Sequence, residues 1–196
     1  MFRFHLTRPV TNFGVAVVSH DPGAPVEPRI VAGADENRLM GIVALPVVAN
    51  AYLDRYGSPA RVAGALLPAP GTYSIVFDTL QRTRSGRFAF RFWVNDVTPP
   101  RIRLAGRSGS MLLARITDLG AGVDPDSIDA TADGGRTVAV HFDAGTGRAR
   151  IDLSRLPAGR HRLTLTASDY QETKNTENTG PTLPNTRVLR TTVTVP

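Results

Sequence analysis

The chain has no cysteine among its 196 residues. Disulfides therefore contribute nothing to its stability. That suits a reducing compartment and equally suits exported bacterial modules that fold on an apolar core alone. Lysine is nearly absent: Lys174 stands alone beside 22 arginines. Arginine at lysine's expense, with abundant Ala, Gly, Val and Pro, reads as GC-rich coding rather than selection for a polyanion. The net charge is +6, but residues 1–96 hold ten basic and seven acidic side chains and residues 97–196 hold thirteen and ten. The excess is thus spread evenly along the chain. Nucleic-acid binders gather basic residues in a stripe and interleave aromatics for stacking. The sequence shows neither, so no nucleic-acid partner is expected. No apolar run approaches the ~18–20 residues of a spanning helix, and no membrane insertion is expected. The start, Met1-Phe2-Arg3-Phe4-His5-Leu6, lacks the plan of an export signal. It reads as a strand, as in a segment excised from a longer protein.

What is present is a repeat. Leu67-Pro68-Ala69-Pro70-Gly71-Thr72-Tyr73 and Leu156-Pro157-Ala158-Gly159-Arg160-His161 each enter an alternating strand that ends in an acid, Asp78 or Asp169. A Pro–Gly turn leading into a strand of period two is how a late, central strand of an antiparallel sandwich begins. Strand-like runs fall at 2–6, 13–19, 29–31, 41–48, 61–67, 72–78 and 87–94, and again at 101–104, 110–117, 127–131, 136–142, 148–153, 160–168 and 187–195. A short helical turn is expected only at 50–56. The run at 87–94 places Phe88, Phe90, Phe92 and Val94 on one face, which reads as core, and Ala89, Arg91 and Trp93 on the other. Tyr73 sits where an immunoglobulin-type sandwich carries a tyrosine corner, and His161 occupies the matching position.

The expected architecture is all-β: two tandem antiparallel β-sandwiches, immunoglobulin-like or fibronectin-III-like. The first would span 1–95, with a jelly-roll-like plan also open, and the second 96–196. Thr98-Pro99-Pro100 between them makes a short, stiff linker, because paired prolines fix φ and hold the preceding residue extended.

Seven strands running up and down would bring Asp96, Asp118 and Asp169 to one pole of the second domain, near Asp124 and Asp126. Carboxylates gathered this way could bind Ca²⁺, which takes 6–8 oxygen ligands. The competing reading is that each Asp caps its own turn through local backbone bonds. The loop from Asp169 to Thr186 is longer than a hairpin needs, and long loops in compact domains are often functional. Tyr170, Glu172, Asn175 and Glu177 are its candidate binding residues. Nothing assembles for catalysis. Gly106-Arg107-Ser108-Gly109-Ser110 approaches a nucleophile elbow but lacks the final glycine, and reads as a hairpin turn. His5, His20, His141 and His161 show no metal-ligand spacing.

Asp96-Val97-Thr98-Pro99-Pro100-Arg101-Ile102, then Thr117-Asp118-Leu119-Gly120-Ala121-Gly122-Val123-Asp124, then Ser168-Asp169 at a strand end, together resemble the bacterial Ig-like modules. Residues 90–100, 168–175 and 183–187 resemble the non-catalytic C-terminal region of secreted, actinobacterial subtilisin-like serine proteases. This resemblance implies a secreted or cell-surface parent with a protease or other catalytic domain upstream in the same polypeptide. None of that family's catalytic segments occurs here, so the chain itself is not expected to be an enzyme. The expected role is an accessory module that stabilises or positions its neighbour. The alternative is an extracellular binding module for a glycan or protein substrate. A glycan platform would need exposed aromatics, for which Trp93, Tyr52 and Tyr56 are the candidates.

Overall fold

The computed structural model describes residues 1–23, 25–33, 61–79, 84, 86–175 and 185–196. Two compact units emerge, one containing Met1–Val97 and the other Thr98–Glu172 with Pro184–Pro196. The described residues are predominantly β-strand, and every strand pairing is antiparallel. The runs expected at 41–48 and 50–56, with Tyr52 and Tyr56, lie outside the described residues.

The first unit carries β1 (Phe2–Leu6), β2 (Asn12–His20), β3 (Glu27–Ala32), β4 (Val62–Leu66), β5 (Gly71–Asp78) and β6 (Phe88–Val94). They form two sheets, ordered β1-β5-β3 and β4-β2-β6. Phe13, Val15, Ile30, Ala63, Tyr73 and Ile75 make the core, and Phe4, Phe77 and Phe92 pack against it. The repeat behaves as its sequence suggests: β5 is the central strand of its sheet. The Tyr73 hydroxyl donates to the Ala69 carbonyl at 2.7 Å, closing the tyrosine corner.

The aromatic row of β6 is a correction. Phe90 and Val94 are 44% and 41% exposed, whereas Trp93 on the opposite face is 4% exposed. The reason lies in β6's place at a sheet edge, where of the row only Phe92, partly buried, packs against the core. Phe88 and Phe90 pack instead on Phe77, with ring centroids 5.0 and 4.8 Å away. Trp93 is buried because its indole fills the space left by Gly14, its cross-strand partner on β2.

The second unit carries β7 (Arg101–Ser108), β8 (Met111–Thr117), β9 (Asp129–Ala132), β10 (Arg136–Thr137), β11 (Val140–Asp143), β12 (Arg148–Asp152), β13 (Gly159–Ser168) and β14 (Thr186–Val195). Their sheets run β10-β9-β13-β14 and β11-β12-β8-β7. Ile116, Ile151, Leu153, Leu163 and Leu165 fill the space between them, nearly or wholly buried. Alternation explains the placement. Along β8 the buried Leu112, Ala114 and Ile116 interleave with the more exposed Leu113, Arg115 and Thr117.

Two expectations change here. The single strand read at 136–142 is two strands in different sheets. The chain crosses at Val138 and Ala139: the Val138 amide donates to Ala130 of β9, and the Ala139 carbonyl accepts from Asp152 of β12. Val138 is apolar and buried, so sequence alternation runs straight through the switch. The order is consequently not up-and-down. The segment from Gly106 to Ser110, read as a hairpin turn, contains the turn between β7 and β8, with Gly109 at φ 58°.

Candidate functional site

The polar groups of the second unit concentrate where β8 and β13 end. Asp118 follows β8, whose last residue Thr117 pairs with Arg101 at the start of β7. Asp169 follows β13. Residues 118–124 join the two ends: Val123 forms an isolated antiparallel bridge with Asp169, and the Asp124 amide donates to the Ser168 carbonyl at 3.0 Å. The Tyr170 amide adds a bond to Gly122. Asp118 and Asp169 therefore meet through a hairpin and a bridge rather than through up-and-down order. Each offers a carboxylate oxygen within 4.8 Å of the other's.

Both acids also cap their own turns. Asp118 Oδ1 accepts from the Gly122 amide at 2.8 Å. Asp169 Oδ1 accepts from the Glu172 amide at 2.9 Å, which starts the helix α1 (Tyr170–Asn175). Asp124 does the same for the 3-10 turn Pro125–Ser127, accepting from the Asp126 amide. The hydroxyl of Ser127 then locks this turn to the end of β13: it accepts from the Ser168 amide and donates to the Asp124 carbonyl.

Asp169 is fully buried, and so are Gln171 and Asn185. Asn185 Nδ2 donates to Asp169 Oδ2 at 2.6 Å, and the Asp169 amide donates to the Asn185 carbonyl. The Asn185 amide in turn donates to the Glu172 carboxylate at 3.1 Å. Residues 169–172 and Asn185, the two ends of the long excursion, are thus laced together at the pole. Of the candidate loop residues, Tyr170 is buried at 4% exposure and acts as a pin. Glu172 closes the lacing, Asn175 ends α1, and Glu177 lies outside the described residues. The helix was not expected. Its signal was available in Asp169 followed three residues later by Glu172, the spacing of a capping box.

Asp96 belongs to the first unit, where the buried Asn12 clamps it. Asn12 Oδ1 accepts from the Asp96 amide at 2.9 Å, and Asn12 Nδ2 donates to the Asp96 carbonyl at 2.6 Å. Its carboxylate is nearly buried as well, the residue being 5% exposed.

A second charged feature emerges from the strand register. On the outer face of the β11-β12-β8-β7 sheet, Arg148 is the cross-strand partner of Arg115, and Arg115 of Arg103. All three are exposed, as are Arg101 and Arg150 on the same face. Register turns a dispersed set of arginines into a row. The signal was the i, i+2 spacing of Arg101 with Arg103 and of Arg148 with Arg150.

The sheets β10-β9-β13-β14 and β11-β12-β8-β7 are the two halves of an immunoglobulin-type strand order, which makes the second unit an antiparallel β-sandwich of that plan. No family model matches the chain, and no curated protein is detectably similar to it.

Proposed function

We propose that this chain is a non-catalytic accessory region of an exported protein, with a subtilisin-like protease as the parent, and that it stabilises or positions a neighbouring domain. The observation that carries this reading is the use made of the polar groups at the second unit's pole. Asp118, Asp124, Ser127, Asp169, Glu172 and Asn185 are committed to backbone caps and to each other. Such groups fix the course of the chain and leave scaffold rigidity as the product. The gene upstream of residue 1 tests the parentage. An Asp–His–Ser protease domain read in the same frame supports the reading, and any other neighbour overturns it.

Calcium is the metal-dependent form of this proposal. Asp118 and Asp169 supply hard oxygen donors of the kind Ca²⁺ selects. Asp96, the third carboxylate of the expected set, belongs to the first unit.

A second reading is a binding module that meets an extracellular glycan or protein on an exposed sheet face. The arginine row on β7, β8 and β12 favours it. Trp93, the aromatic expected to serve a glycan platform, is buried and takes no part in it.

A further inference from the structure

We infer that the outer face of the β11-β12-β8-β7 sheet is a docking surface for a carboxylated polysaccharide, a chain of uronic acids lying across the strands. The inference rests on the binding-module reading and names its substrate class. Neighbouring strands stand about 4.8 Å apart, so Arg103, Arg115 and Arg148 form a transverse file of positive charge over three strands. Arg101 and Arg150 extend it, each two residues along a strand from a member of the file. Like charges directly opposite on paired strands destabilise a sheet. The face carries that cost in the free protein, and an anionic chain removes it.

Asp143 attracts Arg148 at the margin of the file but leaves Arg103 and Arg115 without an acid directly opposite. Asp143, the cross-strand partner of Arg148, is held by its own turn, accepting from the Gly145 amide and from the amide and hydroxyl of Thr146. Asp152, at the end of β12, accepts from the Ser154 amide. Leu113, the cross-strand partner of Arg150 and two residues from Arg115, lies in an open groove of about 620 Å³ that His141 and Asp143 also line. Guanidinium groups match carboxylates in bidentate geometry, and a half-exposed leucine gives a sugar ring an apolar floor. The expectation of scattered basic charge is thereby revised. Strand pairing makes a stripe, and with no Phe, Tyr or Trp among its outward residues this face is not the aromatic platform expected from the sequence; it would hold an anionic chain by charge, and it offers no stacking surface for bases.

The test uses the 196-residue chain and four immobilised polymers: polygalacturonate, heparin, duplex DNA and neutral dextran, at about 0.1 M NaCl. Polygalacturonate should bind. The triple substitution Arg103→Ser, Arg115→Ser, Arg148→Ser should weaken that binding at least about tenfold. The triple Arg160→Ser, Arg162→Ser, Arg190→Ser, which removes the same charge from the other sheet, should weaken it less than about twofold. Removing the row should leave the melting temperature unchanged or raised, which separates lost binding from lost folding. If that triple fails to fold, Arg115→Gln at the centre carries the same test with a smaller loss. Equal losses in both triples overturn the inference. So does heparin or DNA binding without polygalacturonate binding. Dextran binding that ignores the row also overturns it, while leaving the binding-module reading standing.

Discussion

His161 Nδ1 lies 2.7 Å from the Asp133 carboxylate, while its Nε2 lies 2.8 Å from the Pro157 carbonyl. A carbonyl and an ionised carboxylate only accept, so both bonds form together only when the ring carries both protons. The repeat thus holds two chemical versions of one corner. Tyr73 closes on the carbonyl four residues back with a neutral hydroxyl, and His161 does so as an imidazolium.

Stability should therefore depend on pH through this corner. The Asp133 carboxylate, followed by the Pro157 carbonyl, raises the His161 pKa above its ordinary value. The His161 bond, followed by the Arg162 amide, lowers that of Asp133. The His161 contribution is complete below ~6.5 and is lost as pH rises through the raised folded value. The Asp133 contribution is complete above ~3.9 and is lost as pH falls through its depressed folded value. The Arg136 charge tempers the rise at His161 and deepens the fall at Asp133. Melting temperature followed across pH ~5–9 should fall toward the alkaline end in the native chain. In His161→Gln that fall should be smaller, and equal slopes would refute the imidazolium assignment.

The first unit's corner allows a cleaner test. Tyr73→Phe keeps the ring that packs against Phe4 and Phe13 and removes only the bond to Ala69. The loss should be about 1 kcal/mol, the net worth of one hydrogen bond, with no pH dependence below the phenol's titration range. Urea denaturation at neutral pH measures it.

Gly14 is required by its neighbour rather than by its backbone. A Cβ there would collide with Trp93 Cζ2. Gly14→Ala should destabilise the chain by about 1–3 kcal/mol, the usual cost of overpacking. The variant should also shift Trp93 fluorescence, because the indole must move. Trp93 is the only tryptophan, so the signal reports this site alone.

These positions show what the sequence made legible. The Pro–Gly repeat marked both central strands, β5 and β13, because turn chemistry and alternation are local signals. The sheet switch at Val138 was hidden because a buried apolar residue satisfies either sheet. The face of β6 was misjudged because burial of Trp93 depends on a glycine 79 positions away on β2. The meeting of Asp118 and Asp169 was expected, but on a topology the molecule does not use. The hairpin β7–β8 and the Val123 bridge bring them together, and neither is readable from strand spacing alone. The arginine row needed the register of three strands, which no composition can supply.

The carboxylate pole yields the last prediction. Two carboxylates that each place an oxygen within 4.8 Å of the other's gather hard donors of the kind Ca²⁺ takes. If Asp118 and Asp169 hold Ca²⁺, millimolar Ca²⁺ should raise the melting temperature and chelator should reverse it. The gain approaches about 2.7 kcal/mol at a hundredfold excess over Kd. Asp118→Asn keeps an oxygen for the Gly122 amide but removes a charge, so it should abolish the calcium effect while changing the ion-free stability little. Asp169→Ala instead removes the cap on α1 and the partner of Asn185, and should destabilise the chain in chelator as well, by at least the 0.5–2 kcal/mol or so of a lost N-cap. A melting temperature that ignores calcium in the native chain would assign these acids to capping alone.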